Sequence, residues 1–172
     1  MASSSVAPCT VANAYREDLA YIHDAGFGFF ARNASLVLLE SLRRKAVTTG
    51  VIVELGCGSG IMTEAVSTAG YDVLGFDLSE AMISLARKRA PKAQFRQESF
   101  LDAELPPCIA VTAIGEVLNF LFDHRNTMRR LRKLVRRAYA ALGSGGLFLL
   151  DVAGPGRVPR AGRHKHHAEG DD

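Results

Sequence analysis

Several things are scarce in this chain, and each scarcity removes a class of answer. Cysteine occurs three times, as Cys9, Cys57 and Cys108, an odd number without metal-ligand spacing. Neither a disulfide framework nor a dedicated metal site is expected, and a reduced, cytoplasmic protein is. No apolar run approaches membrane-spanning length. Residues Met1 to Pro8 lack the basic and apolar regions of a secretory signal. Neither charge dominates, the formal net charge being +3. The basic run Arg129–Arg137 keeps apolar residues at 128, 131, 134, 135 and 138. That is helical spacing with a solvated charged face, so no nucleic-acid partner is expected. There are no internal repeats. No Gly-Lys-Ser/Thr tripeptide occurs, which excludes a phosphate-cradling P-loop.

What is present fits one globular domain. The 172 residues are 48% hydrophobic and 23% charged, enough for a real core. Asn13–His23 is polar with an amphipathic tendency, Gly26–Phe30 reads as a flexible aromatic segment, and Ala31–Val47 reads as a helix. Strands are predicted at 51–55, 72–76, 94–98, 109–114 and 146–152. They alternate with helices near 60–68, 79–89, 117–121 and 124–142. Such alternation implies an α/β fold with a parallel sheet and helices on both faces. Right-handed crossovers then place a ligand above the carboxyl end of the first strand.

The most informative stretch is Val51-Ile-Val-Glu-Leu-Gly-Cys-Gly-Ser-Gly60. Its β-branched residues suit a buried strand. The strand ends in Glu54, and glycines alternate at Gly56, Gly58 and Gly60. Alternating glycines let the backbone turn sharply and let a ligand approach the main chain. The first N–H groups of the helix that follows would point at that ligand. The dinucleotide fingerprint G-x-G-x-x-G would need glycine at 61, and Ile61 stands there. A purely structural strand-to-helix turn is the plainer alternative. A second strand, Tyr71–Phe76, ends in Asp77, 77 − 56 = 21 residues after Gly56. A ribose-binding acid is expected about 20 residues on, where two oxygens can accept from both ribose hydroxyls. Ser79 is a natural N-cap for the helix after it, and basic residues fall near that helix's end.

The pattern E-x-G-x-G-x-G followed by Asp77 resembles class I S-adenosylmethionine-dependent methyltransferases. Val51–Gly60, Val73–Ala90, Ala93–Leu105, Ile109–Phe122 and Ala141–Val152 resemble that family's successive motifs in order. The resemblance implies a Rossmann-like doubly wound parallel sheet of about five strands in order 3-2-1-4-5, with S-adenosylmethionine as cofactor. It implies cofactor contacts from Glu54, Gly56, Cys57, Gly58, Gly60, Asp77 and Leu78. Where the family commonly has an acid for the adenine amino group, this chain has Ser99, which would supply a hydroxyl. Phe100 has two open readings, a platform for the purine face or an ordinary core residue. Gly115 would permit close backbone approach beside the sulfonium. Glu116 and Asn119 are polar groups there, Glu116 being equally readable as a helix cap.

Transfer from a sulfonium is an in-line displacement with a neutral leaving product. Alignment alone can supply about 7–11 kcal/mol of the acceleration. No catalytic residue is therefore named. His23, Tyr15 and Tyr21 lie in the segment that folds over the cofactor in relatives, and His23 is open between a base and a surface residue. His164, His166 and His167 show no dedicated metal-site pattern. The expected organisation is a tail over 1–12, the methyltransferase domain over 13–152, and a tail over 153–172. The family's C-terminal antiparallel hairpin is not legible after residue 152, because Val158 is the one large aliphatic residue there. Two functions follow: a methyltransferase for a small-molecule acceptor, or a cofactor-binding remnant acting through a partner. Self-association through an exposed fifth-strand edge is the further expectation.

Overall fold

A computed structural model describes residues 17–119 and 123–154. In chain order these form α1 (Glu17–Arg44), β1 (Val51–Leu55), α2 (Ile61–Thr68), β2 (Asp72–Asp77), α3 (Glu80–Arg89), β3 (Gln94–Gln97), β4 (Cys108–Ala113), a 3-10 turn (Val117–Asn119), α4 (Met128–Ala141) and β5 (Leu142–Leu150). Residues 1–12, Tyr15 and residues 155–172, including the three C-terminal histidines, lie outside the described residues, as do 120–122.

The sheet order is β3-β2-β1-β4-β5, as the resemblance implies, and every pair is parallel, as the alternation predicts. The central strands carry apolar side chains on both faces, and each face has its own core. Ile52, Val73 and Ala110 pack with Leu38 and Leu42 of α1 and Met62 and Val66 of α2. Val53, Leu55, Leu74, Phe76 and Val111 pack with Leu134, Ala138 and Ala141 of α4. The period-two alternation along β1 decides which residue joins which core. Burial of each large side chain contributes about 1.5–3 kcal/mol.

Several boundaries differ from expectation. The first helix is continuous through Gly26, Phe27 and Gly28 rather than broken by a flexible segment. Two glycines cost a helix about 2 kcal/mol together, but tertiary contact outweighs that. A Cβ on Gly28 would lie 2.7 Å from Ile61 Cδ1, so glycine there lets α1 approach the start of α2. The helix predicted near 117–121 is, over 117–119, a single 3-10 turn. The strand predicted at 146–152 starts earlier, at Leu142, and ends at Leu150. Between the pairs Cys108↔Leu142 and Ala110↔Leu147, β4 advances by 110 − 108 = 2 residues while β5 advances by 147 − 142 = 5. Gly143, Gly145 and Gly146 absorb the excess as an irregularity, Gly145 with φ +78°. Among the described residues β5 pairs only with β4 and is a sheet edge.

Ser79 does cap α3, its hydroxyl accepting from Met82 N–H at 3.2 Å. Thr127 likewise caps α4, which begins at Met128 rather than near 124.

Candidate functional site

Strand-end residues of a parallel sheet converge at one edge, and here that edge gathers the glycine turn and the residues that follow the next three strands in the chain. Gly56, Cys57, Gly58 and Gly60 follow β1. Asp77 and Leu78 end and follow β2, Ser99 and Phe100 follow β3, and Gly115 and Glu116 follow β4.

The glycine turn folds back on β2. Gly56 and Cys57 N–H donate to Phe76 C=O at 2.8 and 2.9 Å. Gly58 N–H donates to Asp77 Oδ2 at 2.9 Å, and Ser79 N–H to Oδ1 at 2.9 Å. Asp77 therefore organises the turn before any ligand arrives. An ionised carboxylate offers about four lone-pair sites, so acceptor capacity remains on its oxygens. Burial pushes its pKa up, while the amides of Ser79, Gly58 and Leu78 pull it down.

The three glycines are left-handed, at φ +72°, +52° and +80°, but for different reasons. A Cβ on Gly56 would lie 2.3 Å from Val117 Cγ2, so that glycine admits the turn after β4. A Cβ on Gly60 would lie 2.9 Å from Ala86 Cα, so that glycine admits α3. A Cβ on Gly58 would meet nothing within 4 Å. Among the described residues, only Gly58 of the three borders open space, which a ligand can fill.

Glu54, 3% exposed, accepts from the hydroxyl of fully buried Thr63. Burial pushes its carboxyl up to about 7, against the opposing effect of the Thr63 bond. Cys57 turns its side chain beneath the turn, where a Cβ on Gly75 would lie 2.9 Å from its Sγ. Burial, then the charges of Asp77 and Glu54, push its thiol well above the ordinary value. It offers a ligand its backbone rather than a thiolate. Leu78 C=O accepts from Gln97 Nε2 at 3.4 Å.

On the far side, Ser99 is 4% exposed and fully engaged. Its hydroxyl donates to Asp123 Oδ2 at 2.8 Å and accepts from Leu101 N–H at 3.2 Å. Phe100, 8% exposed, belongs to the α4-side core, the second of its two open readings. Asp123 is buried and takes Arg125 in a fork, Nε to Oδ1 at 2.9 Å and Nη2 to Oδ2 at 2.8 Å. That guanidinium, with Ser99, holds the Asp123 carboxyl well below the usual range. Arg125 also reaches Asp102 at 2.7 Å, and Arg137 of α4 donates to Phe100 and Leu101 C=O. Gly115 and Glu116 stand at φ +88° and +57°. Both N–H groups donate to Asp151 Oδ1, at 2.8 and 3.1 Å. Asn119 Oδ1 accepts from Ala153 N–H at 2.9 Å.

Residues that sequence reasoning missed are mostly those acting across long separations. Asp24 of α1 accepts from Ser59 Oγ and takes Arg89 in a fork at 2.8 and 2.9 Å, tying α1 and α3 to the glycine turn. Asp123 and Arg125 carry no local signal. Asp151 does carry one, an acid following the apolar run Leu147–Leu150 of a strand, much as Glu54 and Asp77 stand at the ends of theirs. Among the described residues no cluster could hold a metal ion, and no helix is long and apolar enough to cross a membrane. A cavity of about 430 Å³ lined by Val51, Asp72, Leu74, Arg96 and Glu104 opens at the other end of the sheet.

Residues 52–146 match the family model described as a methyltransferase domain. The trans-aconitate 2-methyltransferase of Paracidovorax citrulli is 33% identical over 105 residues, covering 59% of this chain and 38% of that one. The ubiquinone biosynthesis O-methyltransferase of Stutzerimonas stutzeri is 31% identical over 91 residues, covering 49% and 39%. The chain thus spans about two-fifths of the length of the curated relatives it matches. Among solved structures, an S-adenosylmethionine-bound amino pentose methyltransferase from Micromonospora echinaspora superposes with TM-score 0.68. It is 25% identical, covering 86% of this chain and 61% of that one.

Proposed function

Because the chain belongs to the class I S-adenosylmethionine-dependent methyltransferase family, we propose that it binds S-adenosylmethionine at the glycine turn and transfers its methyl group to a small-molecule acceptor. The observation that carries this reading is Gly58. Of three left-handed glycines in one turn, it is the one whose missing side chain leaves open space, beside a carboxylate with acceptor capacity to spare.

The residues fit the cofactor in three ways. Asp77 can take both ribose hydroxyls while keeping Gly58 and Ser79 N–H, since each oxygen accepts more than one bond. The backbone of Cys57 and Gly58 offers close approach to the amino-acid portion, with Glu54 buried behind it. Leu78 and the chain after β3, residues 99–100, flank the adenine side, and Gly115 and Glu116 flank the sulfonium side. The activated methyl comes from the cofactor's sulfonium. The chain's part is to hold donor and acceptor in line and to exclude water, which needs no obligatory base. Among the relatives whose names say what they act on or serve, one acts on trans-aconitate, one belongs to ubiquinone biosynthesis, one acts on an amino pentose and one on guanine of 18S rRNA. The first three support a small acceptor without choosing its chemistry.

Calorimetric titration with S-adenosylhomocysteine tests the reading, followed by an acceptor screen. Asp77→Ala should weaken that binding by about 1–3 kcal/mol, because it removes charge-assisted bonds to ribose and two anchors of the turn. Unchanged affinity, or tighter binding of NAD than of S-adenosylhomocysteine by the unaltered chain, would sink the reading.

A further inference from the structure

We propose that Asp151 is a positioning residue for the sulfonium-side wall of the site. From the end of β5, its carboxylate holds the loop after β4 in the shape that seats Val117 over Gly56. The inference rests on the proposed cofactor site, which it deepens by naming what fixes one wall.

Gly115 and Glu116 are consecutive left-handed residues. Glycine accepts that conformation freely, whereas Glu116 at φ +57° does not. A non-glycine residue stays there only when its surroundings over-determine it. One carboxylate oxygen is prominent in those surroundings, and Glu116 C=O also accepts from Asn119 N–H at 2.8 Å. Successive N–H groups turned to one side form a small anion-binding concavity. Asp151 Oδ1 fills it, accepting from Gly115 at 2.8 Å and Glu116 at 3.1 Å. Asp151 is itself in register, its N–H donating to Ala113 C=O at 3.3 Å. A second strap joins the same two segments in the opposite sense, Ala153 N–H donating to Asn119 Oδ1. The loop so held delivers Val117 to the point where a Cβ on Gly56 would lie 2.3 Å away. A carboxylate just past the fifth strand thus reaches the glycine turn of the first through a single fixed loop.

Three variants on the full chain test this: Asp151→Asn, which keeps an acceptor oxygen; Asp151→Ala, which removes it; and Asp151→Glu, which moves it out by one methylene. The readouts are amide hydrogen exchange at Gly115 and Glu116 against Leu149, and S-adenosylhomocysteine affinity. Asp151→Ala should speed exchange of the two loop amides by about tenfold, the loss expected for a charge-assisted bond, with Leu149 unchanged. Affinity should fall by a similar factor, and Asp151→Asn should recover most of both. Should the alanine variant not fold, Asp151→Glu should show the same loop-specific exchange and weakened binding. Wild-type exchange at Gly115 and Glu116 in the alanine or glutamate variant overturns the proposal. So does loosening that spreads equally to Leu149, or an asparagine variant no better than alanine. If the unaltered chain does not bind S-adenosylhomocysteine, the cofactor reading fails, while the exchange measurements still decide whether Asp151 holds the loop.

Discussion

Two turns lie side by side at the carboxyl edge of the sheet and are held in opposite ways. The turn after β1 is closed by its own neighbourhood: Gly56, Cys57 and Gly58 bond to Phe76 and Asp77, inside one β-α-β unit. The turn after β4 is closed from a distance. Asp151 holds Gly115 and Glu116 across 35 to 36 residues, and Asp123 ties the region to Ser99 across 24. The first turn can form as soon as its unit folds. The second requires β5, α4 and the loop after β3 to be in place. A small site can thus combine a locally encoded floor with a wall that only the whole sheet supports.

Gly56 is where the two turns touch, and its substitution should have the largest effect. Gly56→Val combines a left-handed β-branched residue with a clash against Val117. A loss of about 4 kcal/mol in urea unfolding is expected, from strain and overpacking together. A loss below about 1 kcal/mol would show that the turns separate easily and that the contact is incidental.

The floor alone is probed by pH through Glu54. Its folded-state value is about 7 against an ordinary 4.5, so the folded chain binds an extra proton between those values. Its stabilising share is complete below pH 4.5 and is lost as pH rises through 7, about 3 kcal/mol in all. Glu54→Gln should flatten the stability–pH curve in that window. An unchanged slope would mean that Glu54 is ionised in the folded state.

The wall alone is probed by Asp123→Ala, which strips Arg125 of its fork and leaves Ser99's buried hydroxyl without its acceptor. About 2 kcal/mol should be lost, and amide exchange should quicken near 99–103 but not at 56–58. Equal loosening of both turns would erase the distinction between them. The smallest cost in stability belongs to Gly58→Val, about 1–2 kcal/mol from left-handed strain without a clash. It should nonetheless abolish S-adenosylhomocysteine binding, and retained binding would reduce the glycine turn to a structural connection.

Local chemistry was legible in the chain itself. The β1 and β2 strands, the glycine spacing, Asp77 as a strand-end acid and Ser79 as a cap all depend on residues close in sequence. Each was readable because periodicity, turn chemistry and capping act over a few residues. The length of α1 was not, since two glycines argue against a helix that contacts with α2 then stabilise. Nor was the engagement of Ser99, because its partner Asp123 arrives from another loop.

The amino-acid sequence by itself determined the alternation of strands and helices, hence the parallel sheet and the edge where strand-end residues gather, while the strand order was implied by the family resemblance that its motifs carry. Buried apolar runs and right-handed crossovers leave few other arrangements. Tertiary structure alone decided what each of three similar glycines is for: one faces Val117, one faces Ala86 and one faces open space. It alone decided that Phe100 enters the core, that Cys57 turns beneath its loop and that Asp151 holds the wall. The physical reason is the same throughout. A residue's conformation is set by its neighbours along the chain, whereas what its side chain meets is set by packing between segments that no short stretch of sequence contains.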